Sequence, residues 1–160
     1  MKTKLKVCEI RVRVYLLKDI HFKELQNVLA NFIDSALCQN EKLISFHEEN
    51  RYKFYSIGTL WPVERGMTYK KDQIYALTVR TTDAELARYF SDVLRNHYTK
   101  IIKGLTVENR IIPRKRIGEL FALSPVIIKS DEGYWRSHMS LDEYEKRLFA
   151  NTVKKYNSFT

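Results

Sequence analysis

The residues best suited to chemistry lie in the segment 43–61, where a histidine is followed by basic and aromatic side chains. His47 is the central one, because an imidazole with an ordinary pKa of about 6.5 can give or take a proton near neutral pH. Arg51 and Lys53 follow it closely, with Tyr52 between them, and their charges could hold a phosphate. These residue types predict metal-free phosphodiester chemistry on RNA, in which the ribose 2′-hydroxyl is the nucleophile.

A second interpretation of His47 stays open, namely a loop histidine hydrogen-bonded to the backbone or to the two glutamates that follow it. The other three histidines are interpreted as structural. His21 lies near a helix start, His97 on an apolar helix stripe and His138 in a loop. No ligand spacing links the four, so the sequence predicts neither a metal site nor a cofactor.

The charge of the chain favours a polyanionic partner. Its 160 residues include 28 lysines and arginines against 19 aspartates and glutamates, a formal net charge of +9 at pH 7. A basic surface that is only solvated is the alternative. Cys8 and Cys38 lack the spacing of a redox or metal motif, which is typical of thiols in a reducing compartment and predicts a cytoplasmic protein. No apolar run has membrane-spanning length, so no membrane partner is expected.

Hydrophobic periodicity predicts a mixed α+β domain in residues 1–116. Apolar residues alternate from 4 to 18, as in a half-buried strand, and recur at steps of three and four from Leu25 to Leu37, as in a helix. Two strands are predicted at 51–60, where Gly58 indicates a bulge, and at 73–81. A helix opened by the capping box Thr82-x-x-Glu85 and a strand at 105–111 follow. This β-α-β-β-α-β order is that of the ferredoxin-like, or RRM-like, fold, with two helices on one sheet face and the other face open.

A short basic run, Arg114-Lys115-Arg116, marks a predicted boundary before a second unit at 117–160. Residues 119–129 are apolar enough for a strand, and Ser140-x-x-Glu143 is a capping box that predicts a helix. Because one strand and one helix cannot bury their apolar faces alone, we interpret 117–160 as the start of an incomplete second ferredoxin-like domain. Its exposed strand edge predicts self-association into a homo-oligomer.

Two segments carry a family resemblance: HEENRYKFYS at 47–56 and LSPVIIK at 123–129. Together with the predicted order of elements, they resemble the CRISPR-associated endoribonucleases that cut precursor CRISPR RNA within its repeats. The resemblance implies two tandem ferredoxin-like domains, of which this chain would hold the first and the opening strand and helix of the second. It also implies CRISPR repeat RNA as the substrate and other CRISPR-associated effector proteins as partners.

The resemblance further implies roles for individual residues. His47 matches a histidine that serves as catalytic acid or base, and Lys53 matches a lysine that in some members assists at the scissile phosphate. The implied products, made without a metal, are a 5′-hydroxyl and a 2′,3′-cyclic phosphate. The chain departs from the family at two points. Ala30 and Phe32 occupy the neighbourhood of a tyrosine that some members use, and the five glycines form no glycine-rich loop.

RNA contacts are predicted on the first strand, in the histidine segment and at the domain boundary. Arg11 and Arg13 project from the first strand opposite its apolar face, and Arg51 lies beside His47. Tyr52, Phe54 and Tyr55 could stack on bases, although strand aromatics more often fill a core. The boundary candidates are Arg110, Arg114, Lys115 and Arg116. For each basic residue, a solvated surface is the alternative.

Three functions remain open from the sequence. The first is a metal-independent endoribonuclease that cleaves within repeats. The second is an RNA-binding subunit that keeps the basic surface but does not cleave. The third is an assembly module whose segment 117–156 pairs with another chain. A fold of this kind serves all three, so the functional residues have to decide among them.

Overall fold

The structure, a computed structural model, describes residues 6–41, 43, 53–113, 115, 118–119, 126 and 128–158. The chain divides into two compact units, Met1–Arg116 and Ile117–Thr160, called unit 1 and unit 2 below. Its elements make it a mixed α+β protein with a mainly antiparallel sheet. Within the ranges given above, no helix is long and apolar enough to cross a membrane.

Unit 1 contains a four-stranded antiparallel sheet, ordered β3-β5-β1-β6, and a separate pairing of β2 with β4. The first strand of the chain, β1, therefore lies inside the sheet, between β5 and β6. The elements of unit 1 are β1 (Val7–Leu16), β2 (Ile20–His21), α1 (Phe22–Leu37), β3 (Tyr55–Trp61), β4 (Thr68–Tyr69), β5 (Ile74–Thr81), α2 (Ala84–Val93) and β6 (Ile102–Ile112).

One face of the sheet forms the core of unit 1 together with the two helices. Every second residue of β1 from Cys8 to Leu16 is buried, as its alternation predicts. The predicted stripe of α1 is confirmed, because Leu25, Phe32 and Leu37 are among its buried members, and Phe90 of α2 joins the same cluster. Burying each large apolar side chain stabilises the fold by about 1.5–3 kcal/mol, so the helices hold this face closed.

The helix starts depend on side chains that cap the first backbone N–H groups. His21 is the N-cap of α1, where its Nδ1 accepts from the Lys23 N–H at 3.3 Å. The predicted Thr82 capping box of the second helix is wrong. Asp83 caps α2 instead, and its carboxylate accepts from the N–H groups of Glu85 and Leu86. Both residue types can cap a helix, and the aspartate lies immediately before the first helical residue.

The passage from α2 to β6 also differs from the prediction. Periodicity extends the helix to His97, whereas α2 ends at Val93, and β6 begins at Ile102 rather than at 105. Gly104 is the physical reason. Its N–H donates to the His97 carbonyl at 2.8 Å, and any Cβ on it would overlap the Leu94 carbonyl oxygen. The glycine lets a strand pass close to the chain that leaves the helix.

Unit 2 comprises β7 (Lys129–Ser130), β8 (Gly133–Tyr134), a short 3-10 helix and α3 (Leu141–Asn157). The predicted capping box is confirmed, because the Ser140 hydroxyl accepts from the Glu143 N–H at 3.3 Å and the Glu143 carboxylate accepts from the Ser140 N–H at 3.0 Å. Most of the strand predicted at 119–129 lies outside the described residues. That unit 2 is an incomplete ferredoxin-like domain stays a prediction.

The helix of unit 2 leaves apolar side chains exposed. None of the residues of α3 is buried, and Phe149 is 73% exposed. Tyr144 makes two local contacts near the start of the helix. The centroid of its ring lies 4.2 Å from that of Trp135, and its hydroxyl donates to the Val126 carbonyl at 2.7 Å. Exposed apolar side chains of this size are compatible with the predicted self-association.

Candidate nucleic-acid interface

The predicted site residues fall into two groups. His47, Arg51, Tyr52, Arg114 and Arg116 lie outside the described residues, and their roles stay predictions. The others belong to unit 1. Lys53 is half-buried and lies two residues before β3, and Lys115 is exposed beyond the end of β6. The remaining three, Arg11, Arg13 and Arg110, are on the four-stranded sheet.

The sheet has a second face, opposite the core, that is largely exposed. Alternation assigns it the residues of β1 that lie between the buried ones. Antiparallel pairing adds the residues directly across from them on β5 and β6, and the partners of those β5 residues on β3. We call this surface the open face. Its residues are Glu9, Arg11, Arg13, Tyr15, Ser56, Trp61, Ile74, Ala76, Thr78, Arg80, Lys103, Thr106, Glu108 and Arg110.

Arg11 and Arg13 are exposed in the middle of the open face. Arg11 lies across from Thr78 and Glu108, and Arg13 lies between two small residues, Ala76 and Thr106. Two residues along a strand span about 7 Å, so the two positive charges are side by side. Both arginines lie opposite the apolar face, as the alternation of β1 predicts.

Arg110 belongs to an ion-pair cluster that we call the Glu9 cluster, made of Glu9, Arg80 and Arg110. Glu9 is only 5% exposed. Its Oε1 accepts a hydrogen bond from Arg110 Nε, and its Oε2 accepts one from Arg80 Nε, each at 2.8 Å. In each arginine, Nη2 contacts the same carboxylate oxygen as Nε does. Burial alone would raise the pKa of Glu9, but the hydrogen bonds and charges of Arg110 and Arg80 outweigh it and lower the pKa. The carboxylate is therefore ionised at neutral pH.

Exposed apolar and aromatic side chains occupy the other end of the open face. Trp61 is 63% exposed and Ile74 is 51% exposed. Ile74 lies across from Tyr15, whose hydroxyl donates to Asp72 at 2.7 Å, and this hydrogen bond raises the pKa of Tyr15. A solvated indole near arginines can stack on an unpaired base while the cations hold the backbone.

Trp61 has no role in the sequence-based prediction, because the strand predicted at 51–60 ends one residue before it, whereas β3 includes it. Counting in twos from Tyr55, which is on the core side, assigns Trp61 to the core as well. The register shifts between Ile57 and Leu60, so Leu60 is buried and Trp61 turns to the open face. The bulge predicted at Gly58 is confirmed, because this glycine lies within the shifted segment.

Tyr55 packs in the core and does not take part in the open face. Its ring meets that of Phe90 edge to face, with centroids 5.7 Å apart. Burial, with the charge of and a hydrogen bond to Asp34, raises the pKa of Tyr55 to about 12. Of the two interpretations of this residue, the structure favours core packing over base stacking.

His97 is buried and held by hydrogen bonds on both ring nitrogens. Ser35 Oγ lies 2.8 Å from Nε2, and Gln39 Nε2 lies 2.8 Å from Nδ1. Because the Ser35 hydroxyl donates to the Phe32 carbonyl at 3.0 Å, we assign the ring proton to Nε2. Burial lowers the pKa of His97, although a hydrogen bond to the Phe32 backbone acts in the opposite direction. The ring is thus neutral.

This arrangement argues against a catalytic role for His97. A cavity of about 490 Å³ adjoins the ring, with Asp92, Asn96 and Tyr98 among its lining residues. Both ring nitrogens are already bonded to the protein, and the Ser35 proton is directed at a helix carbonyl rather than at the imidazole. In a nucleophile–base pair of Ser35 and His97, the serine hydroxyl would have to donate its proton to the imidazole. The structural interpretation of His97 is therefore the better one.

No protein family model, curated protein or solved structure matches this chain. Among the residues that the structure describes, no group of three or more histidine, cysteine, aspartate or glutamate side chains is arranged to hold a metal ion. The features of this chain that bear on its function are therefore the open face of unit 1 and the residues of the segment 43–61.

Proposed function

We propose that this chain is a metal-independent endoribonuclease of the CRISPR-associated kind, which binds precursor CRISPR RNA on the open face of unit 1 and cleaves it with His47. The observation that carries the proposal is the composition of the open face. It bears the basic residues Arg11, Arg13, Arg80, Lys103 and Arg110 against the acidic residues Glu9 and Glu108, and it exposes Trp61. Positive charge beside an exposed aromatic ring suits a single-stranded RNA.

A ferredoxin-like fold for unit 1 is part of this proposal. The strand order β3-β5-β1-β6, with antiparallel neighbours throughout, supports it. So does the alternation of α1 and α2 with these strands along the chain. Sheets of this type in RNA-binding modules stack bases on the face that the helices leave open. The Trp61 side of the open face would serve this purpose here.

The proposed cleavage is an intramolecular transesterification. The ribose 2′-oxygen loses its proton and attacks the adjacent phosphorus, the bond from phosphorus to the 5′-oxygen breaks, and the leaving oxygen takes up a proton. His47 would carry one of these protons, a role that contributes on the order of 10²–10⁴ in rate. Lys53 would stabilise the negative charge that develops on the phosphoryl oxygens. Single-stranded DNA would bind but not be cut, because it lacks the nucleophile.

A second candidate function is an RNA-binding subunit that does not cleave. The observation that favours it is that the open face lies within β1, β3, β5 and β6 and includes neither His47 nor Lys53. In either case we propose a cytoplasmic protein. Cys8 is a buried free thiol and Cys38 an exposed one, which suits a reducing compartment.

The test is incubation of the chain with labelled repeat RNA in EDTA. We expect cleavage by the unmodified protein, and none by His47→Ala or on RNA with a 2′-deoxyribose at the cut site. His21→Asn is the matched control, because it removes an imidazole but keeps a side chain that caps α1. Cleavage by His47→Ala at the unmodified rate would overturn the assignment of that residue.

The same RNA, with the 2′-deoxyribose to prevent cleavage, measures binding. Tight binding without cleavage of the normal substrate would favour the second candidate. The double variant Arg11→Gln/Arg13→Gln should bind less tightly and reduce the slope of log affinity against log salt by about 0.7 for each lost phosphate contact on single-stranded RNA. An unchanged affinity and slope would remove these two arginines from the interface.

A further inference from the structure

We propose that Glu9 is a positioning residue that holds Arg80 and Arg110 as a two-arginine clamp for one phosphate of the bound RNA. The inference rests on the proposed RNA binding by the open face and goes further by assigning one specific phosphate site within it. The sequence alone predicts Arg110 as one of several surface cations, with no role for Glu9 or Arg80.

The clamp arises from the order and register of three strands. β1 lies between β5 and β6, and Glu9 pairs directly with Arg80 on one side and Arg110 on the other. The backbones of β5 and β6 are about 10 Å apart across β1. Each arginine bonds a different oxygen of the same carboxylate, so both guanidinium groups meet at the Glu9 side chain of the middle strand.

The hydrogen bonds within the Glu9 cluster leave donors for a ligand. Each arginine uses Nε and Nη2 toward Glu9, so the two N–H groups on Nη1 of each guanidinium are not used by the carboxylate. The Glu9 side chain is 7% exposed, whereas the side chains of Arg80 and Arg110 are 43% and 75% exposed. The anion thus lies beneath two cations that face solvent.

The charge of the cluster points to an anionic ligand. One carboxylate would be neutralised by one arginine, but two arginines bond Glu9 and leave a net charge of +1. Guanidinium groups held in fixed orientation match the oxygens of a phosphate through paired N–H donors. Arg11 lies two residues along β1 on the same face, so an RNA strand with one phosphate at the clamp would extend over the rest of the open face.

Glu9→Gln tests the clamp, because the change in charge and the loss of arginine positioning would change RNA affinity in opposite directions. Removing a negative charge from a basic surface should tighten RNA binding if only charge matters. If Glu9 orients the two arginines, the loss of their fixed position should instead weaken binding by about five- to ten-fold. Glu108→Gln is the matched control, since it makes the same charge change on the same face, across from Arg11.

Binding is measured with the labelled, 2′-deoxy-protected repeat RNA over a range of salt concentrations. We expect Glu9→Gln to bind more weakly than Glu108→Gln, with a salt slope smaller by about 0.7. If Glu9→Gln binds as tightly as Glu108→Gln or more tightly, the clamp is wrong. If the unmodified chain binds no RNA, both the proposed function and the clamp are wrong.

A second variant covers the case in which Glu9→Gln fails to fold. Arg110→Lys keeps the positive charge on a largely exposed side chain, so the fold should be preserved, but it removes the planar pair of donors. We expect a loss of affinity of about five-fold in a protein that still shows a cooperative thermal unfolding transition. RNA binding equal to that of the unmodified chain would mean that only the positive charge of Arg110 matters, and it would overturn the clamp.

Discussion

Replacing Gly104 by alanine should destabilise unit 1 more than any other glycine-to-alanine change outside a turn. A Cβ at this position would overlap the Leu94 carbonyl oxygen and lie 3.2 Å from that of His97, whereas real Cβ atoms essentially never approach such atoms within 3.0 Å. The backbone must therefore move by about 1 Å or more. Leu94 and Ile102, which flank this contact, are fully buried, so the movement would open the core.

The magnitude follows from two costs. Forcing extra volume into a packed site costs about 1–3 kcal/mol, and weakening the Gly104 N–H bond to the His97 carbonyl costs about 0.5–1.5 kcal/mol more. The free energy of unfolding should thus fall by roughly 3 kcal/mol. For a unit of this size, that corresponds to a decrease of roughly 10–15 °C in the melting temperature.

Circular dichroism during heating and urea titration measures both quantities. Gly66→Ala is the matched control, because no atom lies within 4 Å of the Cβ it would add. We expect the control to stay within about 0.5 kcal/mol of the unmodified protein. If Gly104→Ala unfolds at the same temperature as Gly66→Ala, the close approach of β6 to the end of α2 is not a property of the folded chain.

Two further predictions concern His97 and Trp61. The unfolded chain binds a proton at an ordinary histidine pKa of about 6.5, whereas burial lowers the pKa of His97 in the fold. Its stabilising contribution should therefore be complete above about pH 6.5 and be lost as the pH falls toward the folded pKa. The melting temperature of His97→Gln should accordingly decrease less on acidification than that of the unmodified chain, and parallel curves would contradict this. Trp61→Ala should weaken RNA binding roughly five-fold or more, because stacking contributes about 1–3 kcal/mol per base. Ile74→Ala, on the same face, should have little effect, and equal losses would argue against stacking.

Local patterns predicted those features of the fold that depend on neighbouring residues in the chain. The alternation of β1 identified its buried face, and the three-and-four spacing from Leu25 to Leu37 identified the stripe of α1. The capping box at Ser140 was also correct. The helix start at Thr82 was wrong by one residue because threonine and aspartate can both cap, and only the backbone conformation selected Asp83.

The candidate interface was predictable only in part, because some of its residues are placed by features other than the alternation within one strand. The side of the sheet that Arg11 and Arg13 occupy follows from alternation within one strand. The role of Trp61 does not, since the bulge near Gly58 reverses the alternation that would otherwise assign this residue to the core. How far His47 and Lys53 contribute to cleavage stays a prediction from the sequence.

The net charge of +9, the buried stripes of β1 and α1 and the orientation of Arg11 and Arg13 follow from the amino-acid sequence alone. The contact between Glu9, Arg80 and Arg110 does not, because these residues are far apart in the chain and come together only in the folded sheet. Periodicity assigns a side chain to one face of a strand. Its neighbours across the sheet depend on strand order and register, and these are set by how the whole core packs against α1 and α2.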